Sequence, residues 1–190
     1  MSLRVVSAAI LALLGTGCQM TPTTNSTPAV VSQELDSAKR EMLLSKIKGL
    51  EGTWDVSVGG VPGGSIEFRV SSNGSAVREI MFPGTDHEMT NMYHLDGNSL
   101  VVTHYCGAGN QPKMRANGLI EDKIAFAMDS VGDLKSRTET YMGELTLEFV
   151  ADHQVIEHWR SFTDGKPNPE HEMHMQLSRR LPAGNDPTGG

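Results

Sequence analysis

Apolar and polar residues alternate with a period of two over most of the chain, from Thr53 to Arg180. Ile66, Phe68 and Val70 show the pattern, since polar residues separate them. Successive side chains of a β-strand point to opposite faces, so the alternation predicts half-buried strands. Short turns separate them without long crossovers. The sequence therefore predicts an all-β fold, an up-and-down barrel of roughly ten antiparallel strands, with a two-sheet sandwich as the alternative.

The first hairpin is predicted around Asn73-Gly74, because both residues tolerate the positive φ of a tight turn. The register that follows places Val70 opposite Val77. It also places Arg69 opposite Arg78, a like-charge pair that is unfavourable across a sheet.

A second hairpin is predicted around Asp96-Gly97, with Leu95 opposite Asn98 and Met89 opposite His104. Alternation then puts ten side chains on one face, apolar near the turn and polar at the other end. The polar end carries the six residues that we predict to line a ligand cavity: His87, Met89, Asn91, Tyr93, His104 and Cys106.

The residues of the same face suggest two other functions, a metal site and a catalytic site. Its imidazole, thioether and thiol groups are ligands for Cu or Zn, but one flat hairpin supplies no converging geometry, so cavity lining is favoured. His104 and Cys106 stand two positions apart on a strand, roughly 6.5–7 Å, too far for a nucleophile bonded to its base. No catalytic residue is predicted, and the chain is not expected to be an enzyme.

The N-terminus carries the features of a lipoprotein signal. Arg4 precedes an apolar run, Val5 to Leu14, and small residues then lead to Cys18. Residues 1–17 are therefore predicted to be a signal peptide, and Cys18 the lipidated first residue of the mature protein. An ordinary secretory signal is the alternative. This predicts a bacterial cell-envelope protein, lipid-anchored on the periplasmic or extracellular side.

Composition indicates one domain between two unstructured segments. Residues 18–33 are predicted to be a flexible tether, 34–181 the folded domain and 182–190 a disordered tail. The formal net charge is -7 and there is no basic patch, so nucleic acid is not expected as a partner. With Cys18 lipidated, Cys106 would be the only free thiol.

One helix is predicted before the strands, at 34–48, packed across one end of the barrel. Its apolar stripe consists of Leu35, Met42, Leu43 and Ile47. The longest irregular stretch, Ser130 to Met142, is predicted to be a short helix or a lid.

The segment Leu50 to Val56 contains Gly52 and Trp54 at the entry to the first strand. It resembles the opening of a calycin barrel, the superfamily of lipocalins, fatty-acid-binding proteins and nitrobindin-like haem proteins. The resemblance implies that the glycine turns the chain into the barrel floor and that the tryptophan plugs it. A basic residue from the chain end, Arg179 or Arg180, is then expected to pack across the tryptophan.

The resemblance implies binding of a small hydrophobic or amphipathic ligand, with no cofactor. A methionine-rich last strand, with Met173 and Met175, is expected to complete the pocket. Nitrobindin-like proteins bind haem b through a late histidine, for which His171 is the positional match. A third possibility is an envelope interaction module. The segment from His104 to Pro112 also resembles uncharacterised bacterial lipocalin-like proteins, which implies no activity.

Overall fold

A computed structural model describes residues 37–116 and 118–181 of the chain. The predicted signal peptide, Cys18, the tether and the tail at 182–190 lie outside these residues, as does the start of the predicted helix. Within the two described ranges, no helix has the length and apolar character needed to cross a bilayer.

One helix, α1, spans Ser37–Lys48. Eleven strands follow in the described part of the chain: β1 Gly52–Val58, β2 Val61–Ser71, β3 Ala76–Met81, β4 Met89–Asp96, β5 Ser99–Tyr105, β6 Gln111–Ala116, β7 Leu119–Ile120, β8 Lys123–Gly132, β9 Thr140–Ala151, β10 Gln154–Thr163 and β11 Lys166–Arg179.

The strands form one closed antiparallel ring. Apart from β6 and β7, strands that follow each other in the sequence pair with each other. In addition β1 pairs with β11, and β6 pairs with β8 to close the circle. Ten strands belong to this ring, and the two-residue β7 pairs only with β8. The predicted ten-stranded up-and-down barrel with one helix is confirmed.

The first hairpin has the predicted register, with Val70 opposite Val77 and Arg69 opposite Arg78. The like charges are tolerated because Arg69 turns to Glu67 on its own strand. Nε and Nη2 of Arg69 donate to the two carboxylate oxygens of Glu67 at 2.8 and 2.7 Å.

The register predicted for the second hairpin is wrong by two residues. Leu95 pairs with Leu100 and Asn91 with His104. The two-residue loop is Gly97-Asn98, and Gly97 has φ 59° in its first position, where Asp96 had been expected. A shift of two keeps the faces, so the predicted inner face of the two strands survives the error.

Helix α1 covers one end of the barrel, here called the floor. Its buried face is Leu43, Leu44 and Ile47, which join the hydrophobic core. The prediction is wrong for Met42, which is 41% exposed. Lys46 Nζ lies 3.9 Å from Asp122 Oδ1 in the turn between β7 and β8, so the helix lies beside the turns at this end.

The opposite end, here called the mouth, has a shorter irregular stretch than predicted. Strands β8 and β9 extend into 130–142 and leave only 133–139 outside regular structure. This loop is tied on both sides: Asn110 Nδ2 donates to Glu139 Oε1 at 3.0 Å, and the amide of Asp164 donates to the Arg137 carbonyl at 3.0 Å. It is neither a helix nor a detached lid.

The floor is built around Trp54, which is fully buried and donates from Nε1 to the Leu50 carbonyl at 2.7 Å. The Arg179 guanidinium lies 4.3 Å from the centre of the Trp54 ring. It also donates to the carbonyls of Glu51 and Gly49, at 2.7 and 2.6 Å. Arg179 thus joins the two chain ends of the barrel through one cation–π contact and two charged hydrogen bonds.

Gly52 leaves room for the Arg179 side chain, whereas Arg180 pairs with a different residue. Gly52 has φ +124°, and a Cβ there would stand 3.3 Å from Arg179 Nη1, so a side chain would be both strained and crowded. Arg180 does not reach the tryptophan. It forms an exposed ion pair with Asp55.

Replacing Arg179 by Ala should lower the free energy of unfolding by about 2 kcal/mol, because a cation–π contact and charged hydrogen bonds are lost together. Arg180→Ala is the matched control and should cost less than about 1 kcal/mol, as exposed ion pairs do. Urea unfolding of both variants measures the difference. Equal losses would contradict the role given to Arg179.

Candidate functional site

Polar side chains are buried inside the barrel, above the apolar floor. Glu79, Asn91, His104 and Glu157 are each at most 2% exposed. With the buried rings of Tyr93 and Trp159 they form one group of contacts, here called the inner polar cluster. It joins side chains from β3, β4, β5 and β10.

Glu79 is the acceptor at its centre. Its Oε2 accepts from the Tyr93 hydroxyl at 2.6 Å and from Asn91 Nδ2 at 2.8 Å. Asn91 Oδ1 in turn accepts from His104 Nδ1 at 2.7 Å. Burial lowers the pKa of His104 to about 4, so the imidazole is neutral at physiological pH, with its proton on Nδ1.

Glu157 enters the cluster from the other side. Its Oε2 accepts from Trp159 Nε1 at 2.9 Å, and the Trp159 ring lies 5.0 Å from the ring of His104. Oε1 of Glu157 and Oε1 of Glu79 are buried and accept no hydrogen bond from a described donor. Each carboxyl group affects the pKa of the other, so the two lie near each other, and a proton on one of them removes the repulsion between two buried charges.

The proton stays on the carboxyl pair because burial disfavours the charged form of a carboxyl group. Burial raises the pKa of Glu79 to about 7, although its donors Tyr93 and Asn91 favour the ionised form. Burial raises the pKa of Glu157 well above its ordinary value, and the charge of Glu79 raises it further. Neither carboxyl has a Lys or Arg partner among the described ion pairs. Glu157 therefore carries the proton, and Glu79 is the carboxyl that ionises near neutral pH.

A cavity of about 380 Å³ opens at the mouth, between the β5–β6 loop and strands β9 to β11. Its lining is mostly apolar and consists of Cys106, Ala108, Thr140, Tyr141, Met142, Ser161, His171, Glu172 and Met173. Cys106, Ser161 and Met173 are each two positions from a residue deeper in the barrel: His104, Trp159 and Met175. The mouth cavity therefore lies one layer above the inner polar cluster.

The structure separates the six predicted cavity residues into four places. Asn91, Tyr93 and His104 belong to the inner polar cluster, and Cys106 lines the mouth cavity. Met89 is half-buried against the core.

His87 is not on the inner face. It lies exposed in the turn before β4, where it lines another cavity together with Phe82. The turn takes His87 out of the strand, so alternation does not apply to it. Consequently its imidazole does not join His104 and Cys106. Among the described residues no group of three or more His, Cys, Asp or Glu side chains is arranged to hold a metal ion.

Glu79 and Glu157 were missed as site residues, although the sequence carried a signal for both. Glu79 is in phase with Val77 and Met81, and Glu157 with Val155. Period two therefore puts both carboxyls on the inner face.

The sequence was also compared with models of known protein families and with curated proteins, and nothing matches it. The candidate site is thus defined by the geometry of this chain: a closed barrel, a buried carboxyl pair and an apolar cavity above it.

Glu79→Gln should change how stability depends on pH. The pKa of Glu79 in the folded protein, about 7, lies above its ordinary 4.5, so the folded state binds more protons between these values. This stabilising contribution is complete below pH 4.5 and is lost as pH rises through 7. The amide of the variant cannot ionise, so the variant should gain about 2–3 kcal/mol relative to wild type between about pH 5 and 8.

Chemical unfolding across this pH range measures the gain. His104 contributes in the opposite direction at acid pH, since its pKa is lowered, but it is present in both proteins and cancels in the difference. Glu41→Gln, at an exposed position of α1, is the control and should run parallel to wild type. A Glu79→Gln profile parallel to wild type would contradict a buried ionisation.

Proposed function

We propose that the barrel binds a small apolar or amphipathic molecule in the mouth cavity. The observation that carries the proposal is the cavity itself, about 380 Å³ with a mostly apolar lining. Small-molecule sites are concave, mainly apolar and provided with a few polar groups, and they occur at the mouths of β-barrels.

The lining suggests how such a molecule would lie. Tyr141, Met142 and Met173 offer apolar contact, and the flexible thioether side chains adapt to ligands of different shape. Thr140 and Glu172 supply polar atoms. An amphipathic ligand would place its apolar body against the methionines and its polar end beside these groups.

The inner polar cluster supports this location. Perturbed pKa values are concentrated at functional sites, and here a carboxyl pair and a neutral histidine lie one layer beneath the cavity. Cys106 and Ser161 form part of the cavity lining directly above His104 and Trp159. Ligand binding and the protonation of the cluster would therefore take place in adjoining layers of the barrel.

Haem fits this cavity poorly. His171 lines it and could supply an axial nitrogen, but it is an exposed side chain at the rim. The lining contains Glu172 and no Lys or Arg to pair with the haem propionates. We therefore propose that the ligand is not haem.

We also propose that the domain is attached to a bacterial envelope membrane through Cys18. The support is the sequence alone: one positive charge, a short apolar run and small residues before the cysteine. The acidic composition suits a domain held at a membrane by an anchor and not by a basic surface.

The neutral fluorescent probe N-phenyl-1-naphthylamine should bind the purified full-length protein. Ala108→Trp and Met142→Trp, which fill the cavity from a loop and from β9, should each weaken the apparent Kd at least about tenfold, or 1.4 kcal/mol. Fluorescence titration measures the constants. The two substitutions lie on separate elements, so a folding defect in one variant does not decide the result.

Ile120→Trp is the matched control, because Ile120 is 76% exposed on β7, away from the mouth. It should bind the probe like the wild type. If all three variants bind equally, the probe occupies another site and the mouth cavity is not the binding site. Native mass spectrometry of the wild type would then identify any molecule retained elsewhere.

Cys18→Ser should release the protein from the membrane fraction of bacterial cells that express the full chain, because the acyl acceptor is lost. Cys106→Ser is the control, since the chain has only these two cysteines, and it should remain with the membranes. Fractionation and incorporation of labelled palmitate measure the result. Equal membrane association of both variants would reject the anchor.

A further inference from the structure

Two histidines face each other on the outside of the barrel. His158 on β10 is directly opposite His174 on β11. Their Nδ1 atoms are 3.0 Å apart in a hydrogen bond, so one of them carries a proton, which an ion bound by both nitrogens would displace. The ring centres are 4.6 Å apart and the rings nearly perpendicular. Neither histidine lines the mouth cavity.

The separation of the nitrogens is suited to one shared ion. Imidazole nitrogens bind Zn²⁺ at about 2.0–2.1 Å, so two of them stand about 2.9 Å apart at a right angle and about 3.3 Å apart at a tetrahedral angle. The observed 3.0 Å lies between these values and nearer to the right angle. Neighbouring positions at right angles are those of tetragonal Cu²⁺ or Ni²⁺.

A carboxylate orients one of the two rings. Glu148 Oε2 lies 3.4 Å from Nε2 of His158, and it also pairs with Lys123 at 3.1 Å. A ring that donates from Nε2 leaves Nδ1 as the bare nitrogen, which is the form that binds a metal. Glu148 is thus a positioning residue for His158 and not a ligand.

The surroundings are compatible with a cation. The groove around the pair is lined by the carboxylates Glu144, Glu148 and Glu172 and by the cations Lys123 and Arg160. Arg160 is already engaged, since it donates to Glu144 at 2.8 Å and to Glu172 at 3.0 Å. Each cation that lines the groove therefore has a carboxylate partner, and the acids outnumber the bases.

We propose that His158 and His174 form a two-histidine site for a divalent transition metal, with Cu²⁺ bound more tightly than Ni²⁺ or Zn²⁺. Cu²⁺ is favoured both by the geometry and by the general order of affinity for nitrogen ligands. Because no larger His, Cys, Asp and Glu cluster suited to a metal occurs in the described ranges, water completes the coordination.

The test is a Cu²⁺ titration, measured by calorimetry, of the full-length protein purified without a histidine tag. His158→Ala and His174→Ala should each weaken the affinity at least tenfold, and the double variant should lose little more than either alone, since one chelate is broken in every case. Glu148→Gln should weaken binding by up to about tenfold through its hydrogen bond to the ligand ring. Electron paramagnetic resonance should show coupling to two nitrogens in the wild type and in His153→Ala, and this pattern should be lost in His158→Ala and His174→Ala.

His153→Ala is the control, since His153 is exposed in the turn before β10, and its affinity should match the wild type. The replaced histidines are partly or fully exposed, so all variants should keep their melting temperature without metal. The proposal is overturned if either single variant binds Cu²⁺ within twofold of the wild type. It is also overturned if His153→Ala loses as much affinity as they do.

Discussion

The pairing of β6 with β8 is the contact on which the rest of the structure depends, because it turns a row of strands into a ring. A closed ring has no free edge, and each of its ten strands is hydrogen-bonded to a strand on both sides. Closure also removes the inner side chains from water. Each of them must then either pack against apolar neighbours or find a polar partner. Near the floor the first solution is used, with Trp54 and the helix. Towards the mouth the second is used.

The inner polar cluster shows the constraint on polar side chains that are buried inside the barrel. Two carboxyls without a cationic partner cannot both remain charged in a space closed to water. The barrel keeps Glu157 protonated and gives Glu79 two strong donors, so one negative charge at most is buried. The mouth cavity lies immediately above this arrangement. A bound molecule would cover it further, and for this reason the two layers are best understood as one site.

The sequence predicted those parts of the molecule that depend on neighbouring strands. Alternation and turn chemistry were enough for the ring of ten strands and for the pairing of Val70 with Val77. The second register failed because Gly97 takes the first place in its turn, which composition alone does not reveal. Glu79 and Glu157 lie on strands that are not adjacent in the sheet, and the alternation identifies a face without showing what lies across the barrel. The carboxyl pair therefore could not be foreseen.

The two carboxyls come from β3 and β10, whose partners in the sheet are different strands. In an open chain both are hydrated and ionised at neutral pH, and they meet only when the ring is complete. Closing the barrel must therefore take up hydrogen ions from the solvent. The closed ring is therefore linked to the pH of its surroundings: acid conditions favour it over the open chain, because they supply the protons that the buried carboxyls take up.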